Sequence, residues 1–194
     1  NDEKSRTIID RLKESVKNKN TVYIFGAGHV SMELSKVLHY VGFDTVIWDD
    51  REEFANVDRF PNSKRVISRP FDNILSEVNI TDKDFAVIMT RGHSYDYLVE
   101  KLVLNTKAAY IGVIGSSNKC KVLREKLIED GFSEEKLDKV CAPIGFKIAA
   151  ETPEEIAVAI ASEIILYRSC LEKRRKVMND NELVKMYRDK RAIS

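Results

Sequence analysis

Apolar residues along the chain fall into two kinds of run, which alternate from residue 21 onward. Short continuous runs rich in β-branched and aromatic residues, such as TVYIF at 21–25, are typical of strands that are buried on both faces. Runs in which apolar residues recur every three or four positions, as from Val30 to Val41, predict amphipathic helices. These patterns predict strands at 21–25, 45–48, 65–67, 85–89, 110–114 and 140–142. They predict helices at 5–17, 30–41, 72–78, 93–104, 118–130 and 153–166.

The order of these elements predicts an α/β fold. Strands that alternate with helices form a parallel sheet with helices on both of its faces. Six strands fit a doubly wound, mostly parallel, Rossmann-like sheet in the order 3-2-1-4-5-6, here with further helices flanking it at both termini. Ligands of such sheets bind beyond the carboxyl ends of the strands, near the point where the strand order reverses. We therefore look for functional residues directly after each strand.

The charge, the length of the apolar runs and the spacing of the cysteines exclude several classes of protein. We assign residues 1–20 to an N-terminal helix, 21–168 to the Rossmann-like domain and 169–194 to a basic helical tail. Lys and Arg number 32 against 31 Asp and Glu, and the net charge of +1 argues against nucleic-acid binding. No apolar run approaches the ~18 residues of a membrane span, so we expect a cytoplasmic protein without a membrane partner. The three cysteines form neither a CxxC pair nor a cluster with histidine, and we predict no metal site.

The segment after the first predicted strand carries the clearest candidate chemistry. Residues 26–31 read GAGHVS, a G-x-G-x-x-S pattern between a strand and a helix. In dinucleotide-binding loops the first glycine, here Gly26, makes the turn, and the second, here Gly28, admits a pyrophosphate. Asp49 stands where such folds hold a ribose diol. His29 is a candidate phosphate donor or proton-transfer group, or it is held by a neighbouring carbonyl; a tight turn that binds nothing also stays open.

Polar residues follow three other strands. Asp50 and Arg51 come after the second strand, Thr90, Arg91 and His93 after the fourth, and Gly115, Ser116 and Lys119 after the fifth. An arginine can bind a phosphate through two hydrogen bonds, and a histidine titrates near neutrality, with Asp96 as the residue expected to orient His93. The segment 115–119 precedes a helix and fits a second anion site. The alternative is a set of polar, capped loops with no ligand. No catalytic residue is assigned.

Taken together, these segments resemble the XdhC/CoxI family, the accessory proteins of xanthine dehydrogenase and related molybdenum hydroxylases. The resemblance covers roughly residues 22–168 and is to the C-terminal Rossmann domain of that family. The matching segments are FGAGHV (25–30), DDR (49–51), EFAN (53–56), RFP (59–61), MTRGH (89–93), YIG (110–112), PIG (143–145) and TPEEIA (152–157), together with Gly115, Ser116 and Lys119. One departure is Ala149, which stands where the family usually has glycine.

The resemblance implies that the chain binds molybdenum cofactor, protects it while its sulfido ligand is installed, and delivers it to a xanthine dehydrogenase-type apo-hydroxylase. The hydroxylase and a cysteine desulfurase are the implied partners. Because the cofactor is a pterin with a phosphate or nucleotide arm, we expect the loop at 26–29 to hold that arm. Two alternatives remain open: an NAD-dependent oxidoreductase, supported by Gly26, Gly28 and Asp49, and a module that only senses a nucleotide. We also expect a homodimer through the apolar C-terminal helices.

Overall fold

One parallel sheet organises the chain. The computed structural model describes residues 20–174, so the predicted N-terminal helix and the tail from residue 175 onward lie outside the described residues. The strands are β1 Thr21–Phe25, β2 Asp44–Asp49, β3 Arg65–Ser68, β4 Phe85–Ile88, β5 Tyr110–Val113 and β6 Val140–Cys141. Their order is β3-β2-β1-β4-β5-β6, and all neighbouring strands are parallel. The predicted α/β class and strand order are confirmed.

Helices connect the strands across both faces of the sheet. They are α1 His29–Tyr40, α2 Ile74–Glu77, α3 His93–Val103, α4 Ser117–Glu129, α5 Glu134–Leu137 and α6 Pro153–Arg174. The helix predicted at 72–78 is divided into a 3-10 turn, Phe71–Asn73, and the short α2. The sequence did not predict α5, because its four residues include a single apolar one, Leu137, which is too few to show a period.

The sheet is buried on both faces, as continuous apolar strands require. Alternate residues of β1 belong to different cores: Val22 and Ile24 pack with residues of α1 and α6, whereas Phe25 packs with residues of α3 and α4. All four residues of β4 are buried. Because the faces are covered, the polar groups that follow the strands gather at one edge of the sheet, beyond the carboxyl ends.

Helix α6 is longer than the sequence predicts and continues to Arg174, past the predicted end at residue 166. The added turns still contact the core, since Leu171 packs against it. The apolar residues Ile160 and Ile164 of α6 are fully buried within this chain, against α1 and the sheet. The homodimer through the C-terminal helices stays a prediction.

Helix α6 also fixes the turn after β6. Its buried Glu163 accepts hydrogen bonds from the hydroxyl of Tyr110 at 2.7 Å and from the amide of Gly145 at 3.0 Å. The three cysteines are all buried. Within residues 20–174, no helix has the length and apolar character needed to cross a membrane, and no three His, Cys, Asp or Glu side chains are grouped so that they could hold a metal.

Candidate cofactor-binding site

The two glycines of the first loop have different roles. Gly26 has a φ of +107°, and a Cβ at this position would lie 2.2 Å from the carbonyl oxygen of Met89. The contact between this loop and the end of β4 therefore requires glycine. Gly28 has an ordinary φ of −74°, and a Cβ there would meet no atom of the other described residues within 4 Å, its two chain neighbours aside. Packing does not explain Gly28, and the open space beside it is what a closely approaching ligand needs.

Helices α1 and α3 begin in matching ways at the same edge of the sheet. Each starts with a histidine, His29 or His93, after a glycine N-cap, Gly28 or Gly92. Neither N-cap has a side chain that caps the helix, so the first amide groups of both helices stay available to an anion. Both histidines are exposed. The interpretation of His29 as held by a neighbouring carbonyl has no support among the contacts of the described residues.

Asp49 is engaged entirely inside the protein. One oxygen, Oδ2, accepts from the amide of Ala27 at 2.9 Å and from Nη2 of Arg51 at 2.9 Å. The other, Oδ1, accepts from the amide and from Nε of Arg51, at 3.1 and 2.8 Å. A carboxylate has about four lone-pair positions, and all of those of Asp49 are used. The expected ribose contact would have to displace Arg51.

Burial and hydrogen bonding act on the pKa of Asp49 in opposite directions. The residue is 1% exposed. Burial alone raises the pKa of its carboxyl, but the hydrogen bonds from Arg51 and Ala27 outweigh burial and lower the pKa below its ordinary value. The same hydrogen bond raises the pKa of Arg51. The hydrogen bonds that Asp49 accepts from Arg51 and Ala27 thus connect the end of β2 to the glycine loop.

Asp50, unlike Asp49, has a carboxylate oxygen that is not used by a hydrogen bond to the described residues. Its Oδ2 accepts from Nη2 of Arg91 at 2.9 Å, while its Oδ1 is buried and has no hydrogen-bond partner within residues 20–174. The guanidinium of Arg91 also donates to the hydroxyl of Tyr95 at 2.8 Å and lies 4.7 Å from the centre of that ring. A buried acceptor without a donor is costly, and a hydroxyl or N–H group of a ligand would satisfy it.

Arg59 is a site residue that the candidate set from the sequence omits. Its Nη2 donates to the carbonyl of Ala27 at 3.2 Å, which places its guanidinium on the glycine loop. Its buried Nε has no partner in the part of the chain that the structure describes. Arg51 and Arg59 both lie over the ring of Phe54, at 3.8 and 5.2 Å from its centre. The family resemblance could have pointed to Phe54 and Arg59, because both residues fall inside segments that match the family.

The loops after β4 and β5 are joined by a buried ion pair. Asp96 is fully buried, and its Oδ1 accepts from the amide and hydroxyl of Thr90 at 2.9 and 2.6 Å. Its Oδ2 accepts from the ammonium of Lys119 at 2.5 Å. The expectation that Asp96 orients His93 is therefore wrong, because its carboxylate turns inward to Thr90 and Lys119. Ser116 caps α4 by accepting from the amide of Lys119 at 3.2 Å.

Comparison with known proteins identifies the chain. A family model described as the XdhC Rossmann domain matches residues 22–164. The chain belongs to the XdhC Rossmann-domain family. The uncharacterized protein YqeB of Escherichia coli is 31% identical over 143 residues, which are 73% of this chain and 26% of that protein. A probable xanthine dehydrogenase subunit of Bacillus subtilis is 30% identical over 156 residues, which are 80% of this chain and 45% of that protein.

A solved structure supports the same relationship. The crystal structure of a xanthine dehydrogenase from Bacillus halodurans superposes with a TM-score of 0.73 at 28% identity. The match covers 81% of this chain and 47% of that one. The chain thus spans less than half the length of each of these relatives.

The XdhC fold brings three of the four predicted loops into direct contact. The glycine loop (Gly26, Gly28, His29) touches the β2 loop (Asp49, Asp50, Arg51) through Ala27, and the β2 loop touches the β4 loop (Thr90, Arg91, His93) through Asp50 and Arg91. The fourth group, Gly115, Ser116 and Lys119, reaches the β4 loop through Asp96. The side chain of Lys119 is only 19% exposed and its ammonium is already bound to Asp96, so this group supports the β4 loop.

The groups of this edge that have no partner among the described residues fit an anionic ligand that also carries hydroxyl or N–H donors. Three arginines, Arg51, Arg59 and Arg91, lie beside three carboxylates, Asp49, Asp50 and Glu53, so the side-chain charges of this edge balance. The two uncapped helix starts and Nε of Arg59 supply donors for phosphate oxygens. Oδ1 of Asp50 supplies one buried acceptor. A phosphate-bearing pterin and a nucleotide both have this combination of groups.

Proposed function

We propose that this XdhC-family chain binds molybdenum cofactor and helps its sulfuration and its insertion into a xanthine dehydrogenase-type molybdenum hydroxylase. The observation that carries the proposal is the open space beside Gly28, at the uncapped start of α1, in a chain of this family. Two of its relatives are named as a xanthine dehydrogenase and as a probable xanthine dehydrogenase subunit, and these names support the choice of client.

In this proposal the phosphate arm of the cofactor lies against the amide groups at the start of α1. Gly28 lets the arm approach the backbone, and Arg59 donates to it from the side of the β2 loop. Asp50 accepts from a hydroxyl or N–H group of the ligand through Oδ1. His93, exposed at the start of α3, is a donor or a proton relay that aids release. A cysteine desulfurase would supply the sulfur.

The geometry favours an NAD-dependent oxidoreductase less than a protein that binds molybdenum cofactor, and the binding assay tests both. In a Rossmann site the acid after the second strand receives the ribose diol, and Asp49 has no free acceptor position. A dinucleotide would have to use Asp50 instead. We therefore include NAD and NADP beside the molybdenum cofactor in the binding assay.

The experiment compares two matched glycine variants of the full chain. Gly28→Ala and Gly92→Ala each add one methyl group where no other residue of the described segment 20–174, beyond the two chain neighbours, comes within 4 Å. Both variants should therefore have the melting temperature of the parent protein. The protein is incubated with cofactor released from a molybdenum hydroxylase and passed through gel filtration. Bound pterin is then measured by its fluorescence after oxidation. We expect Gly28→Ala to retain about a tenth of the affinity or less, a loss of about 1.4 kcal/mol.

The comparison identifies which helix holds the phosphate. A loss confined to Gly28→Ala places the arm at α1, and a loss confined to Gly92→Ala would move it to α3. The proposal fails if the parent protein binds no pterin. It also fails if NAD binds to the parent and the molybdenum cofactor does not.

A further inference from the structure

One ion pair joins the loops on either side of the glycine loop. Nη2 of Arg91, in the β4 loop, donates to Oδ2 of Asp50, in the β2 loop, at 2.9 Å, although 41 positions separate the two residues in the chain. In the sheet, β1 lies between β2 and β4. A contact between the residues that follow β2 and β4 therefore passes across the segment that follows β1, which is the glycine loop.

The glycine loop is packed between the two ends of this contact. On the β2 side, the amide of Ala27 donates to the side chain of the residue before Asp50. On the β4 side, a Cβ on Gly26 would lie 3.0 Å from Cα of Thr90, the residue before Arg91. The Asp50–Arg91 pair therefore crosses the edge of the sheet at which we propose that the phosphate arm binds.

The exposure of the pair allows a ligand to replace one partner. The side chains of Arg91 and Asp50 are 39% and 19% exposed, and ion pairs at this level of exposure contribute little to stability. The second oxygen of Asp50, Oδ1, is buried and has no hydrogen-bond partner among the described residues. Desolvation of this oxygen opposes the closed pair, because a carboxylate that turns outward regains hydrogen bonds to water.

Tyr95 keeps the guanidinium of Arg91 at this edge independently of Asp50. Its hydroxyl accepts from Nη2 of Arg91 at 2.8 Å, and its ring centre lies 4.7 Å from the guanidinium carbon. The ring of Tyr95 packs in turn on Phe71, with 5.4 Å between the ring centres. Both hydrogen bonds of the guanidinium use Nη2, whereas an arginine has five N–H donors in all. Arg91 can therefore bind an oxyanion without leaving Tyr95.

We propose that the Asp50–Arg91 pair is a clasp that an oxyanion opens. The anion binds Arg91 in place of Asp50, and the released carboxylate turns outward, where both of its oxygens can accept hydrogen bonds. The clasp rests on the proposed function in one respect, since a phosphate group has to bind at the glycine loop. It also explains how Oδ1 of Asp50, which is buried in the closed pair, becomes an acceptor for the same ligand. The anion is then recognised first and the hydroxyl or N–H donors second.

The experiment is a crystal structure of the full chain with pyrophosphate, beside the structure without it. Pyrophosphate supplies the anion and contains no pterin, so the result does not depend on molybdenum cofactor. We expect pyrophosphate oxygens within hydrogen-bond distance of Arg91 and a broken Asp50–Arg91 pair, with the carboxylate of Asp50 open to solvent. Pyrophosphate bound at the glycine loop beside an intact pair would overturn the proposal.

Calorimetry with pyrophosphate at constant ionic strength tests the same exchange in solution. Asp50→Asn should bind about fivefold more tightly than the parent, because an exposed ion pair leaves Arg91 free in only about a fifth of the molecules. Arg91→Gln should bind at least about tenfold more weakly, since it lacks the charged donor. Asp58→Asn removes an exposed carboxylate between β2 and β3 and is the matched control, expected within about twofold of the parent.

The clasp is wrong if Asp50→Asn binds pyrophosphate no more tightly than Asp58→Asn does, or if the parent protein binds no pyrophosphate. Its failure can be told apart from that of the proposed function. A parent protein that opens the pair on pyrophosphate but binds no molybdenum cofactor would contradict only the proposed function. A parent protein that binds the cofactor with the Asp50–Arg91 pair intact would contradict only the clasp.

Discussion

The substitution Glu100→Gln should remove part of the pH dependence of stability. The pKa of Glu100 is raised in the folded protein from 4.5 to about 7, chiefly by burial. Below about pH 4.5 the carboxyl is protonated in both the folded and the unfolded chain. Between about pH 4.5 and pH 7 only the folded chain keeps the proton, so the free energy of unfolding falls as the pH rises. Above pH 7 the full penalty is present.

The expected magnitude follows from the size of the shift. Each pKa unit corresponds to 1.36 kcal/mol, so the parent protein should lose about 3 kcal/mol from this residue between pH 4.5 and pH 8. Glutamine has the same shape and does not ionise. The stability of Glu100→Gln relative to the parent should therefore rise by about 3 kcal/mol over that range, whatever its constant offset.

The assay is urea denaturation followed by circular dichroism at pH 5, 6, 7 and 8. Glu129→Gln removes an exposed carboxylate from α4 and serves as the control, with an expected profile parallel to that of the parent. If Glu100→Gln also runs parallel to the parent from pH 5 to pH 8, Glu100 is ionised normally in the folded chain. The reasoning about its burial would then be refuted.

Three further substitutions test the loops. Gly26→Ala should destabilise by at least about 2–3 kcal/mol, because φ is +107° and the new Cβ would lie 2.2 Å from a carbonyl oxygen; a melting temperature equal to that of the parent would contradict this. Asp49→Asn should cost about 3 kcal/mol at pH 7, measured by urea denaturation. Since the pKa of Asp49 is lowered in the folded chain, this difference should shrink below about pH 4, and a constant difference would count against it. Ala149→Gly should change stability by between zero and about +1 kcal/mol, because alanine has a φ of +56° there; a clear loss would show that the loop depends on alanine.

The sequence was sufficient for the sheet because the strands of a doubly wound fold are continuous apolar runs. Each predicted strand is present, and the order of the strands follows from the alternation with helices. The resemblance also carried information about backbone conformation. Ala149, noted because the family usually has glycine there, has a positive φ. A glycine position in a family can therefore mark a left-handed residue even when this chain has alanine.

The sequence could not separate the roles of neighbouring site residues. Asp49 and Asp50 are adjacent and chemically identical, yet Asp49 accepts four hydrogen bonds and Asp50 keeps an oxygen that has no partner among the described residues. The difference arises because the guanidinium of Arg51 binds Asp49 whereas that of Arg91 binds Asp50, and these contacts depend on the tertiary structure. Lys119 is an equivalent case, since its partner Asp96 lies on another helix. Glu100 did leave a signal, because it follows Asp96 by four residues on the buried face of α3.

The polar groups at this edge of the sheet therefore divide into those that hold the loops and those that remain for a ligand. Asp49, Asp96 and Lys119 bind other parts of the protein, so their loss would lower cofactor binding by distorting the loops. Gly28 and the histidines at the helix starts make no such contacts with the described residues. A binding defect is evidence for a ligand contact only when the melting temperature is unchanged. Gly28→Ala meets that condition by its geometry, whereas Asp49→Asn, the obvious choice from the sequence, does not.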